Sequence, residues 1–212
     1  MPLARLQRGL ETLYRVDTGT NVDEFVIGSE LREALAPTRK PREQLLVCSD
    51  GDDEVSVALF IDPAVLANLE AHDPGVRLHD ANFGDFLLAV EGVSHFIYAI
   101  WCAQAERRVT QLELELQAEI DKFVTCLLVG GVEARISSAL RRRLFDECEF
   151  EPDLDHDEHA RYRAANDNAL RYATYLEEAF VAPRKIPEML GELRRFYRLG
   201  LAAKLATIAT AA

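Results

Sequence analysis

The sequence lacks the short motifs that would indicate a reaction or a ligand directly. It contains no CxxC pair, no glycine pattern that resembles a phosphate-binding loop, and no internal repeat. Ser137 and Ser138 stand outside any nucleophile-elbow pattern. These absences exclude a zinc knuckle, a P-loop and a repeat scaffold, and no enzyme class follows from motifs alone.

Disulfide and membrane signals are also missing. The four cysteines are widely spaced and mostly have apolar neighbours: Cys48, Cys102, Cys126 and Cys148. This spacing predicts reduced, packed thiols rather than a disulfide framework. The first five residues lack a basic region followed by an apolar core, and no uncharged apolar run approaches the ~20 residues that span a bilayer. We therefore expect a cytoplasmic protein without a signal peptide or membrane contact.

Positive charge is in deficit. The chain has 24 lysines and arginines against 36 aspartates and glutamates, a net charge of −12. Such an acidic protein does not bind nucleic acid or anionic lipid readily, so we expect a small ligand or a protein as its partner. With 49% apolar and 28% charged residues in 212, the composition is that of an ordinary globular domain with a substantial core.

Two neighbouring segments near the N terminus have the composition of β-strands. They are residues 44–49 and 54–61, which contain Val47 and Val57, and Asp50 to Asp53 between them provides turn residues. Apolar, β-branched runs on either side of an Asp-Gly turn predict a hairpin.

Helical signals dominate the rest of the chain. We predict an α+β fold that is predominantly α and forms one compact domain overall. A small subdomain with an antiparallel sheet and short helices occupies residues 1–72, a connector follows in 73–84, and a bundle of about five helices occupies 85–212. Capping boxes at Thr110–Glu113 and Asp155–Glu158 mark the starts of two of its helices.

The end of the chain resembles one long amphipathic helix. Apolar residues recur at helical spacing from Leu190 to Ile208, which predicts a single last helix. Its final part, residues 199–212, is rich in alanine and leucine and contains one lysine. That composition suits helix packing, and we expect it to provide the contact of a homodimer if one forms.

The most apolar segment, residues 86–103, carries a stripe of polar side chains. A helix that is apolar around most of its circumference belongs in a protein interior. At about 100° per residue, five polar residues fall within one arc of about 100°: Glu91, Ser94, His95, Tyr98 and Cys102. Because a buried polar group without a partner is costly, we expect Glu91, His95 and Tyr98 to be buried and each to face a polar partner.

The helix that begins at Thr110 is the expected neighbour of this stripe. The short break at Arg107–Arg108 favours an antiparallel arrangement of the two helices. With a rise of about 1.5 Å per residue, Glu119 comes nearly level with His95, whereas Glu115 lies one turn earlier. We therefore predict that Glu119, or failing that Glu115, lies near His95.

Three interpretations of the stripe follow. Glu91, His95 and Glu119 can form a metal site of oxygen and nitrogen ligands suited to iron, manganese or zinc, although the second Glu-x-x-His of a di-iron bundle is absent. Alternatively, His95 acts as a general base that Glu91 orients, with Tyr98 or Ser94 as hydrogen-bond donor. The third interpretation is a core hydrogen-bond network in a non-catalytic regulatory or interaction module. The sequence does not identify a cofactor; a divalent metal is compatible with this donor set, and a small ligand is the alternative occupant of the same site.

Overall fold

The computed structural model describes residues 3–37, 41–49, 55–147 and 154–211. Most of these residues are helical, and a small sheet lies near the N terminus, as predicted. The helices are α1 (Leu3–Tyr14), α2 (Ser29–Leu35), α3 (Pro63–Ala71), α4 (Asp80–Gln104), α5 (Gln111–Gly130), α6 (Ala134–Arg141), α7 (His156–Leu176), α8 (Ile186–Tyr197) and α9 (Leu201–Ala211). Short π-helical turns, Arg142–Asp146 and Glu177–Val181, continue α6 and α7.

Three strands form one mixed sheet among the described residues: β1 (Val26–Ile27), β2 (Glu43–Ser49) and β3 (Val55–Ile61), in the order β1-β3-β2. Strands β2 and β3 are antiparallel with Val47 opposite Val57, which confirms the hairpin. Its turn at Asp50 to Asp53 lies outside the described residues. Strand β1 runs parallel to β3, so the sheet is mixed rather than purely antiparallel.

The sheet packs on α4 at a glycine. A Cβ atom added to Gly92 would lie 3.0 Å from Cγ of Glu43 and 3.1 Å from Cδ1 of Leu59. Only a residue without a side chain permits so close an approach of the sheet to the helix. The first residue of β2 is thereby brought next to the polar stripe of α4.

Helix α4 is the central element of the fold. It begins at Asp80 rather than in the region of Asp85, because the Asn82 side chain accepts a hydrogen bond from the His79 amide and caps the helix ahead of the predicted start. By length and composition alone it could cross a membrane, but most of it is buried inside the fold, as is usual for a core helix. Helix α5 packs along it, α7 packs on α5, and α1 packs against α4 and α8.

The prediction of a single last helix is wrong. Helix α8 ends at Tyr197 and α9 starts at Leu201. The amide of Leu199 donates to the Phe196 carbonyl at the end of α8, and the amide of Lys204 donates to the Gly200 carbonyl at the start of α9. This break reorients the chain so that Lys204 points into the core, where it is fully buried.

Candidate functional site

The polar stripe of α4 has two sides with different surroundings. Ser94 and Tyr98 lie toward one edge of the arc and enter a closed core between helices. Glu91 and His95 lie toward the other edge and line a cleft. The stripe therefore serves two purposes, which helical periodicity alone cannot separate.

On the closed side, Asp121 of α5 is the centre of a buried hydrogen-bond network. Ser94 Oγ donates to Asp121 Oδ2 at 2.6 Å, and Tyr14 and Gln117 donate to the other oxygen. Lys204 Nζ donates to Gln117 Oε1 at 2.5 Å. Burial raises the pKa of Asp121 to about 6 and lowers the pKa of Lys204 to about 7. This part of the stripe is a core network whose members satisfy one another.

Tyr98 also belongs to the closed side. Its hydroxyl donates to Glu113 at 2.7 Å and accepts from Arg107 at 2.8 Å, while Arg107 also donates to Cys102 Sγ. Burial and the hydrogen bond to Glu113 raise the pKa of Tyr98 above its usual range. Tyr98 is buried with a polar partner, as predicted, but it does not line the cleft. The structure thus separates it from His95 as a candidate for shared acid–base chemistry.

The connector between α4 and α5 determines which acid meets His95. Glu119 would face His95 if the end of α4 and the start of α5 lay at the same height. In the structure the connector folds back, with the Arg107 amide donating to the Cys102 carbonyl at 2.8 Å, and Tyr98 comes level with Glu113. Helix α4 therefore extends about one turn beyond the start of α5. This offset of about one turn places Glu115, rather than Glu119, against His95. The prediction that preferred Glu119 as the neighbour of His95 is corrected accordingly.

His95 lies between two carboxylates in the cleft. Its Nδ1 is 3.7 Å from Glu43 Oε1, and its Nε2 is 3.5 Å from Glu115 Oε2. Burial alone would lower the pKa of His95, but the carboxylates of Glu115 and Glu43 raise it well above its usual value. Burial raises the pKa of Glu43 to about 7. The ring is therefore oriented by Glu43 and Glu115 rather than by Glu91.

Lys122 holds the other two acids of the cleft. Its ammonium donates to Glu119 at 2.6 Å and to Glu91 at 3.2 Å. Burial would raise the pKa of Glu91, but Lys122 and His95 outweigh it, and the net pKa is lowered. For Lys122 itself, the two carboxylates overcome burial and raise the pKa. Lys122 is thus a fixed cation at the floor of the cleft.

Three potential metal ligands converge beside this cation. One ligand atom from each of Glu43, Glu91 and His95 lies within 4.8 Å of the others. Two of these residues belong to the predicted set, whereas Glu119, its third member, lines the same cleft and pairs with Lys122. Glu43 was not predicted as a site residue, because the predicted strand, residues 44–49, begins one residue after it. Its position two residues before Leu45, on the same strand face, was the available signal.

The cleft around these residues has a volume of about 830 Å³. Its walls come from β2, α4, α5, the π-helical turn after α6, and the start of α7. Four buried side-chain atoms along it have no hydrogen-bond partner among the described residues: Glu43 Oε1, Gln44 Oε1, His95 Nε2 and Arg161 Nε. Glu43 Oε1 and His95 Nε2 lie at ion-pair distances of 3.7 and 3.5 Å from His95 Nδ1 and Glu115 Oε2, so the atoms that need a further partner are Gln44 Oε1 and Arg161 Nε.

Comparison of the chain with protein-family models, with curated proteins and with solved structures finds no match.

The cysteines do not form a second candidate site among the described residues. Cys102 and Cys126 are buried free thiols, and Cys48 is an exposed free thiol. Cys148 lies outside the described residues.

Proposed function

We propose that the cleft binds a divalent metal ion through Glu43, Glu91 and His95. The observation that carries this proposal is their convergence within 4.8 Å, with Glu43 only 8% exposed at its side chain. With metal–ligand bonds of about 2.1 Å, neighbouring ligand atoms lie about 3.0–3.4 Å apart. The 3.7 Å between His95 Nδ1 and Glu43 Oε1 needs only a small contraction.

The donor set indicates the kind of ion. One imidazole nitrogen and two carboxylate oxygens suit manganese, iron or zinc. Three protein ligands leave at least one coordination position for a water or a substrate from the cleft, as in catalytic rather than structural metal sites. Since Nδ1 faces Glu43, it is the ligating nitrogen, and Nε2–H is left to Glu115. A carboxylate on the second ring nitrogen is the usual way of orienting a metal-bound histidine.

The charge of the cleft favours a cation. Five glutamates line it: Glu158 pairs with Arg161, while Glu43, Glu91, Glu115 and Glu119 share the ammonium of Lys122 and the ring of His95. The two rim arginines have acidic neighbours of their own, since Arg143 pairs with Asp80 and Arg161 with Glu158. Buried carboxylates that share too few cations are costly. A divalent ion would supply the missing positive charge.

Two isosteric variants test the proposal. Purified protein is dialysed against Mn²⁺ or Zn²⁺, the bound ion is counted by mass spectrometry, and its affinity is measured by calorimetry. We expect one ion per chain and an affinity at least about tenfold weaker in Glu43→Gln. Glu119→Gln is the matched control, because Glu119 is a carboxylate of the same cleft outside the converging set.

The outcomes are distinct. A wild-type chain without a stoichiometric ion contradicts the metal site. Loss of the ion in Glu119→Gln with retention in Glu43→Gln would restore the ligand set predicted from the sequence and overturn the assignment of Glu43. Circular dichroism of both variants shows whether either loss reflects unfolding.

A further inference from the structure

The cleft runs along the outer edge of β2. Residues 43–47 all line it, together with Pro41 just before the strand. Successive side chains of a strand point to opposite faces of the sheet. A cavity lined by five consecutive strand residues therefore follows the backbone edge rather than one face.

The hydrogen-bond register shows which backbone groups point outward. The Asp62 amide donates to the Arg42 carbonyl at 2.8 Å, so these two residues form a hydrogen-bonded pair at the end of the hairpin. Along an antiparallel ladder, hydrogen-bonded pairs alternate with pairs that are not hydrogen-bonded to each other. The residues of β2 in the second kind of pair direct their N–H and C=O groups away from β3, and they include Glu43, Leu45 and Val47. Within the described ranges, no strand pairs with β2 on that side.

This edge has little of the protection that natural edge strands carry. Its middle, Leu45 to Val47, is apolar, and the strand contains no lysine, arginine or proline. Val47 is 55% exposed. An apolar edge of this kind is a template for another strand.

We propose that an extended polypeptide segment with basic side chains binds in the cleft as a strand added to β2. Two buried atoms of the cleft without a hydrogen-bond partner among the described residues are an acceptor, Oε1 of Gln44, and a donor, Nε of Arg161. A peptide group offers one donor and one acceptor, so a polypeptide complements both kinds. Glu43, Glu91, Glu115 and Glu119 outnumber the two cations that pair with them, Lys122 and His95, so the cleft is complementary to a lysine or arginine side chain.

The size of the cleft fits this occupant. About 830 Å³ far exceeds a metal ion with its water ligands, each of which occupies about 30 Å³. The seven residues of β2 offer an edge of about 23 Å at 3.3 Å per residue. Strand addition to an exposed sheet edge is a common mode of peptide recognition. The inference goes beyond the proposed metal site and does not require a bound ion.

The experiment removes one outward N–H group. A fluorescein-labelled, acetylated heptapeptide of alternating valine and lysine is titrated with protein in the presence of a chelator, and binding is followed by anisotropy. Val47→Pro removes an amide that points away from β3, so the hydrogen bonds of the hairpin remain. We expect Val47→Pro to weaken binding about tenfold or more. The matched control Val47→Thr, which keeps the amide, stays within about twofold.

Each result decides the question. Equal binding by Val47→Pro and Val47→Thr would overturn the added strand, and so would the absence of binding by wild-type protein. A heptapeptide of alternating valine and glutamate that binds as well as the lysine peptide would overturn the preference for basic side chains. If wild-type protein dimerises in sedimentation and Val47→Pro does not, the occupant is a second copy of the chain and the proposal is wrong. Because chelator is present throughout, failure of the metal site leaves this test unaffected.

Discussion

Replacing Lys204 by methionine should remove part of the pH dependence of folding above neutrality. Lys204 is fully buried, and its ammonium lies 4.5 Å from the ring centre of Tyr98 and 5.1 Å from that of Phe196. Burial lowers its pKa to about 7, although the nearby carboxylates of Glu113 and Asp121 act to raise it. The charged and titratable groups that affect this pKa come from α4, α5 and the connector between them: Cys102, Arg107, Glu113 and Asp121.

The sign follows from proton binding. An ordinary lysine has a pKa of 10.5, so between pH 7 and 10.5 the unfolded chain binds this proton more strongly than the folded chain does. Stability of the wild-type protein therefore rises with pH in that window. Between pH 7 and 9 the rise attributable to Lys204 is about 2 kcal/mol, at about 1.4 kcal/mol per pKa unit. Lys204→Met has no amine at this position and lacks this increment.

The measurement is urea unfolding of both proteins at pH 7, 8 and 9. Fluorescence of Trp101 reports it, because its ring centre lies 5.2 Å from that of Tyr197 in the same core. Between pH 7 and 9 the free energy of unfolding should rise by about 2 kcal/mol more in the wild type than in Lys204→Met. The control Lys185→Met, at an exposed position, should show the same rise as the wild type. A constant difference between wild type and Lys204→Met would refute the reasoning. It would mean that Lys204 stays protonated in the fold, held by Asp121 and Glu113.

Two further variants test the site and its support. Glu115→Gln should weaken metal binding about 10–100-fold in calorimetry, because His95 loses the carboxylate that orients it while all three ligands remain; unchanged affinity would remove Glu115 from the site. Gly92→Ala should lower the free energy of unfolding by about 1–3 kcal/mol, since the new Cβ meets Glu43. Gly84→Ala is its control on the same helix, where a Cβ meets nothing within 4 Å, and equal stability of the two variants would contradict the close approach of β2 to α4.

Local periodicity predicted the parts of the fold that depend on local structure. The two β-type runs around Val47 and Val57 indicated the hairpin, and the apolar run around the stripe indicated a buried helix. The Thr110 cap fixed the start of α5, since its hydroxyl accepts from the Glu113 amide. These elements were predictable because capping and side-chain spacing act within one or two turns.

The parts that depended on tertiary contacts were not predictable in the same way. Glu43 reaches His95 only because the sheet docks at Gly92, far away in sequence. Glu115 replaces Glu119 because Arg107 folds the connector back by about one turn. The break near Gly200 interrupts an apolar pattern that continues on both sides of it, so spacing alone could not place Lys204 inside.

The proposed metal site would join two parts of the chain, because Glu43 is the first residue of β2. Glu91 and His95 stand on α4, so all three ligands meet only while the hairpin is docked on the helix. An ion that binds this arrangement and no other stabilises the docked form by mass action. Local opening of the hairpin away from α4 would then release the ion, whereas fraying of α9 would not. Occupancy of the cleft and order of the sheet are in this way two measures of one equilibrium.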